Sequence, residues 1–126
     1  MSGKRRFLLD TNAVVSLLAG NRDLSVKLES AEYVGVSIVT YLEFLAFEGL
    51  SASDCDCFAA FCKRVHIKPL TIDDNSLLQQ ALALRSRYRL KLPDAIIGAT
   101  ALSRNATLIT DDSHFSGISA LTAQGC

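Results

Sequence analysis

RFLLDTNAVVSLLAG, from Arg6 to Gly20, is the stretch that decides the fold. Its opening apolar residues read as a short buried strand running from Arg6 to Asp10, and at Thr11-Asn12 the pattern changes to the helical spacing of AVVSLLAG, which stops at Gly20. A strand that ends on an acid and passes directly into a helix is half of a strand–helix–strand unit, so its recurrence would mean a parallel sheet.

The unit recurs along the chain. A helix fits Leu24 to Ala31, the β-branched run Val34 to Val39 reads as a strand, and TYLEFLAFEGL returns to helical spacing, with Thr40 and Glu43 in the order of a capping box. Ser53 to Arg64 is read as a helix with Phe58, Phe61 and Cys62 on one face, and Val65 to Lys68 as a strand closed by Pro69. Asp73 to Arg89 forms a long amphipathic helix with Leu77, Ala81, Leu84 and Tyr88 in its apolar stripe. Pro93 opens another helix, DAIIGATALSRN, which Asn105 can end in a left-handed turn. Ala106 to Thr110 is the last clear strand, followed by the loop DDSHFSG and a small fifth strand near Ile118 to Leu121. The expectation is a three-layer α/β/α sandwich around a mainly parallel sheet, forming one domain over residues 1–126.

Composition narrows the class further. With 49% hydrophobic and 21% charged residues, the chain can bury a core and is not of the disordered type. No segment is long enough to span a bilayer, and the basic MSGKRR start leads only into the brief first strand, so a cytoplasmic protein is expected. A formal net charge of zero means that any binding to nucleic acid must rest on a local patch. Cys55, Cys57, Cys62 and Cys126 lack the paired spacing of a zinc or redox motif and are read as reduced thiols, the helical ones partly buried.

In a parallel α/β sheet the ligand crevice lies outside the carboxyl ends of the strands, where the winding direction reverses. Asp10 ends the first strand and Asp111-Asp112 follow the strand Ala106 to Thr110, while Glu43 and Asp94 stand near helix starts that could face the same edge. Taken singly, each acid has an ordinary structural role as a helix cap, a dipole partner or a turn residue. Taken together, carboxylates within about 4–6 Å of one another repel strongly unless a cation neutralises them. Oxygen ligands favour Mg²⁺ or Mn²⁺, whose retained waters can attack a phosphodiester. A receiver domain would need its acidic pair after the first strand, and a haloacid-dehalogenase-type phosphatase would need Asp-x-Asp where this chain has Asp10-Thr11-Asn12. A non-catalytic metal- or protein-binding module on the same fold is the alternative to an enzyme.

Four blocks carry a family resemblance: LLDTN at Leu8 to Asn12, SIVTYLEF at Ser37 to Phe44, LPDAIIGATAL at Leu92 to Leu102 and LITDDSHF at Leu108 to Phe115. Their order and spacing over nearly the full length resemble PIN domains, specifically the VapC-like toxins. The resemblance implies a Mg²⁺- or Mn²⁺-dependent endoribonuclease, usually dimeric and often the toxin of a toxin–antitoxin pair with a small antitoxin protein. It implies Asp10, Glu43, Asp94 and Asp112 as catalytic acids, with Asp10, Asp94 and Asp112 on the metal and Asp111 a near rival to Asp112. Thr11, Asn12 and Thr110 match supporting positions, and Gly98 stands where alanine is commoner. DNA nucleases with related acids generally carry extra helical arches, for which 126 residues leave no room, so RNA is the expected substrate.

The segment RSRYRLK supplies Arg85, Arg87, Arg89 and Lys91 around Tyr88, just before Asp94, and is read as an RNA grip, with a dipole-matched helix end as its ordinary alternative. Lys4-Arg5-Arg6 and Lys63-Arg64 are lesser basic groups. His66 is expected in or beside a strand and His114 in the rim loop, neither as a catalyst. Exposed apolar positions near Leu45 to Leu50 and Phe58 to Phe61 would be candidates for a dimer face.

Overall fold

The computed structural model describes residues 5–126, so Lys4 of the first basic group lies outside the described residues. Five strands, β1 (Arg6–Leu9), β2 (Tyr33–Ser37), β3 (His66–Lys68), β4 (Thr107–Ile109) and β5 (Ala123–Gln124), form one sheet in the order β3-β2-β1-β4-β5. Every neighbouring pair is parallel. Six helices accompany them: α1 (Thr11–Leu18), α2 (Arg22–Glu29), α3 (Ile38–Leu45), α4 (Ala52–Cys62), α5 (Asn75–Tyr88) and α6 (Leu92–Ser103). None is long and apolar enough to cross a membrane.

The central strands are apolar because both of their faces are covered. Alternation along β1 sends Leu8 to one side, where Leu108 joins it against α5 and α6. Phe7 and Leu9 point to the other side, where they meet Val36, Ile109 and residues of α1 and α4. The result is the expected three-layer sandwich. Strand order grows outward from β1 through β2 to β3, then jumps back to place β4 on the opposite side of β1. The reversal therefore falls between β1 and β4, and their carboxyl ends border the crevice.

Three local expectations change. β2 stops at Ser37, and the β-branched pair Ile38-Val39 starts α3, because the Ser37 hydroxyl accepts the Val39 N–H at 2.9 Å and caps the helix. Thr40 therefore stands inside the helix, fully buried with its hydroxyl unpartnered among the described residues, and is no cap. A capping box does occur, at Ser51 and Asp54. Secondly, β5 is two exposed residues at Ala123–Gln124, whereas Ile118 and Leu121 are buried plugs in the core beside α6. Thirdly, Phe58 and Phe61 are core residues; Phe58 stacks on Phe44 with ring centroids 4.1 Å apart. Leu45 is exposed as expected, together with Leu42 and Phe47. Of the helical cysteines, Cys55 and Cys57 are exposed and only Cys62 is half-buried.

Asn105 takes the left-handed turn expected after α6, at φ 51°. Arg89, which follows α5, also sits in the left-handed region at φ 57°, ψ 36°. Gly35 in β2 makes room for a neighbour: a Cβ there would collide with the ring and hydroxyl of Tyr33, which lies across it to hydrogen-bond His66 Nδ1 at 3.0 Å.

Candidate metal centre

The end of β1 delivers Asp10 to the crevice, where it caps α1. Its Oδ1 accepts the Thr11 N–H at 2.7 Å, and its Oδ2 accepts the Thr110 hydroxyl at 2.8 Å and the Asn12 side-chain amide at 3.3 Å. Only 5% of Asp10 is exposed, so burial pushes its pKa up; the hydrogen bonds from Thr110 and Thr11 pull it down, and the charges of Glu43 and Asp112 raise it. The ordinary capping role of Asp10 is therefore real. It does not account for the other acids gathered around it.

Asp94 arrives from the first turn of α6, set in place by Pro93. It is half-buried, and its pKa is raised first by burial, then by Asp112, Asp10 and Glu43, against a lowering contribution from His114. Glu43, on α3, accepts the Thr11 hydroxyl at 2.7 Å through Oε1. Asp112 follows β4, where its backbone N–H is held at 3.0 Å by the Thr110 hydroxyl. Thr110 thus donates to one acid and accepts from the backbone of another.

The two neighbouring aspartates take different roles. Asp112 faces Asp94 and Asp10, whereas Asp111 is drawn aside, its Oδ1 accepting the Cys126 N–H at 2.8 Å. Asn12 fixes this divergence by accepting the Asp111 N–H at 3.0 Å. Cys126 also donates its thiol to Asn12 at 3.5 Å, and burial with the nearby Asp111 charge pushes that thiol up to about 11, so it stays protonated at neutral pH. Nothing in the residue spacing signalled this link between Cys126 and the loop after β4. His114, in the rim loop as expected, lies with Nδ1 3.0 Å from Asp112 Oδ1 and is 68% exposed as a side chain. His66 opens β3, remote from the acids along the sheet.

Among the described residues, no lysine or arginine lies within ion-pair distance of Asp10, Glu43, Asp94 or Asp112. Ligand atoms of Asp94, Asp112 and His114 come within 4.8 Å of one another. Clustered acids, two of them (Asp10 and Asp94) with raised affinity for protons, and no lysine or arginine paired to them among the described residues fit a divalent cation held by hard carboxylate oxygens.

These features define a parallel α/β sandwich with a cluster of acids at its switch point. The chain belongs to the PIN domain family, whose model matches residues 7–121. No curated protein matches it. Among solved structures it is similar to a toxin–antitoxin complex from Klebsiella pneumoniae, at 29% identity and a TM-score of 0.74, covering 91% of this chain and 94% of that one. It also shares its fold with VapBC2 from Rickettsia felis bound to a promoter DNA fragment, at 18% identity and a TM-score of 0.81, covering 96% and 98%. A third likeness is VapBC-1 from nontypeable Haemophilus influenzae, at 21% identity and a TM-score of 0.76, covering 95% and 97%.

Proposed function

We propose that this chain is a VapC-type endoribonuclease toxin that hydrolyses RNA phosphodiester bonds with Mg²⁺ or Mn²⁺ held by Asp10, Asp94 and Asp112. The observation that carries the reading is the convergence of four acids from β1, α3, α6 and the end of β4 without a lysine or arginine counter-ion among the described residues. When bound, the cation would supply Lewis-acid activation of a water and neutralisation of charge at the phosphate. Glu43, with one oxygen engaged by Thr11, has its second for the proton of the attacking water. Thr110 and Asn12 hold Asp10 in one orientation. As the water oxygen bonds to phosphorus, the bond to the 3′ oxygen breaks, leaving a 3′ hydroxyl and a 5′ phosphate.

A small antitoxin and a second copy of the chain are the expected partners. Val15, Leu42, Leu45 and Phe47 offer exposed apolar surface for them. The test is cleavage of a labelled single-stranded RNA by the purified protein in EDTA, Mg²⁺ or Mn²⁺, beside Asp94→Asn. Cutting that needs the metal and vanishes in the variant is the expected result; an Asp94→Asn protein that cuts at the wild-type rate would overturn it.

A further inference from the structure

Beside the acids, Tyr88, Arg89, Leu90, Lys91, Asp94 and His114 line a recess of about 140 Å³. It divides the basic segment. Arg89 and Lys91 line the recess together with Asp94, whereas Arg85 and Arg87 are not among its lining residues, and Arg87 instead lies over the Tyr88 ring, 5.5 Å from its centroid. We propose that this recess holds the sugar–phosphate of the nucleotide next to the scissile bond, with Arg89 and Lys91 as the phosphate-binding residues, resting on the reading of the adjoining acids as an RNA-cutting centre.

Three features support the placement. The recess shares Asp94 with the acidic cluster and reaches His114, so whatever fills it lies beside the proposed cation. With His114 Nδ1 against Asp112, Nε2 is the ring nitrogen left for a ligand. Its two cations stand next to a cluster of acids that would repel a polyanion, which is where local positive charge is needed to hold a phosphate.

Arg89 adds an independent sign. It occupies a left-handed backbone conformation at the end of α5, where glycine is the favoured residue. A bulky cation kept in a conformation that suits glycine points to a use for the side chain.

The experiment is fluorescence anisotropy of a labelled single-stranded RNA in EDTA, with the salt dependence of binding, for wild type, Arg89→Gly, Lys91→Gln and Arg85→Gln. Arg89→Gly relieves the backbone while deleting the cation, so its melting temperature should hold or rise as its affinity falls three- to tenfold. Lys91→Gln, at an exposed site, should lose affinity similarly. Each should reduce the slope of log K against log salt by about 0.7, the value for one single-strand phosphate contact. Arg85→Gln should stay within twofold. Equal losses at all three positions, or none, would overturn the proposal; no loss at all would leave the recess to a protein partner. Because EDTA blocks cutting, RNA bound through the recess but never cleaved with Mn²⁺ refutes the nuclease alone. RNA cleaved normally with affinity intact in both recess variants refutes this inference alone.

Discussion

Asp94→Asn should make the metal-free protein more stable and the metal-loaded protein less so. Carboxylate oxygens of Asp94 and Asp112 approach within 4.8 Å, where two unit charges repel by roughly 3.5 kcal/mol at an effective dielectric of about 20 and by about 0.9 kcal/mol in bulk water. Asp94 is half-buried beside solvent, so about 1–2 kcal/mol is the appropriate range. Against this, an acid in the first turn of α6 favours the helix dipole, and its loss costs about 0.5 kcal/mol. The net gain is about 0.5–1.5 kcal/mol. For a chain of 126 residues each kcal/mol moves the melting temperature by about 4 °C, so a rise of about 2–6 °C is expected in EDTA. Binding of Mn²⁺ at about 100 times its Kd should add about 2.7 kcal/mol, or about 10 °C, to the wild type and far less to the variant. Calorimetry in EDTA and in Mn²⁺ should therefore show the order of the two proteins inverting. A variant that melts below wild type in EDTA, or gains as much from Mn²⁺, would refute the electrostatic argument.

Asp10→Asn should behave differently, because each carboxylate oxygen accepts a hydrogen bond and an amide NH₂ would face a donor on either side; with about 1–3 kcal/mol lost there, its melting point in EDTA should fall below that of Asp94→Asn. Raised folded-state pKa values at Asp10 and Asp94 mean that their contribution to stability is fully present below the unfolded value near 3.8 and lost as pH rises through the folded values. Urea midpoints of the metal-free protein should accordingly depend less on pH in Asp94→Asn than in wild type from pH 3.8 upward, and parallel curves would contradict this. Asn12→Ala removes the acceptor of the Asp111 N–H and the amide donor to Asp10 Oδ2, and should lower the melting temperature by about 4–8 °C, corresponding to one to two hydrogen bonds of about 1 kcal/mol each; an unchanged value would show that water replaces them fully. Gly98→Ala brings a Cβ to 3.3 Å from Leu84 Cδ1, a flexible side-chain end, so the helix-propensity gain of about 1 kcal/mol should narrowly prevail; a loss of stability by thermal melting would mean that Leu84 cannot move.

The alternation of strands and helices was legible because the central strands are buried on both faces and must be apolar, and because Asp10 and Pro93 mark element boundaries by local chemistry. The position of Asp10 and Asp112 at strand ends and of Asp94 at a helix start followed from the same local signals. Boundaries set by tertiary contacts were not legible. Ser37 outcompetes Thr40 as a cap although Ile38-Val39 favour a strand, and Ile118 and Leu121 serve as core plugs rather than as β5. The separation of Asp111 from Asp112 depends on Asn12 and Cys126, which lie 99 and 15 residues away in the chain from Asp111. Phe58 and Phe61 looked like one face of a helix, and nothing local could tell whether that face met Phe44 or a partner. Likewise, RSRYRLK carries its charge in the sequence, but only the turn at Arg89 divides it between the recess and the helix surface.

Hydrolysis by an activated water, with no part for the ribose hydroxyl, is the central chemical claim. It is tested most directly by analysing the ends produced in Mn²⁺ from an RNA carrying a single 2′-deoxy nucleotide on the 5′ side of its cleaved bond. The account predicts that this RNA is still cut, leaving a 3′ hydroxyl and a 5′ phosphate. Loss of cutting at the substituted position, with a 2′,3′-cyclic phosphate from the unmodified RNA, would contradict it.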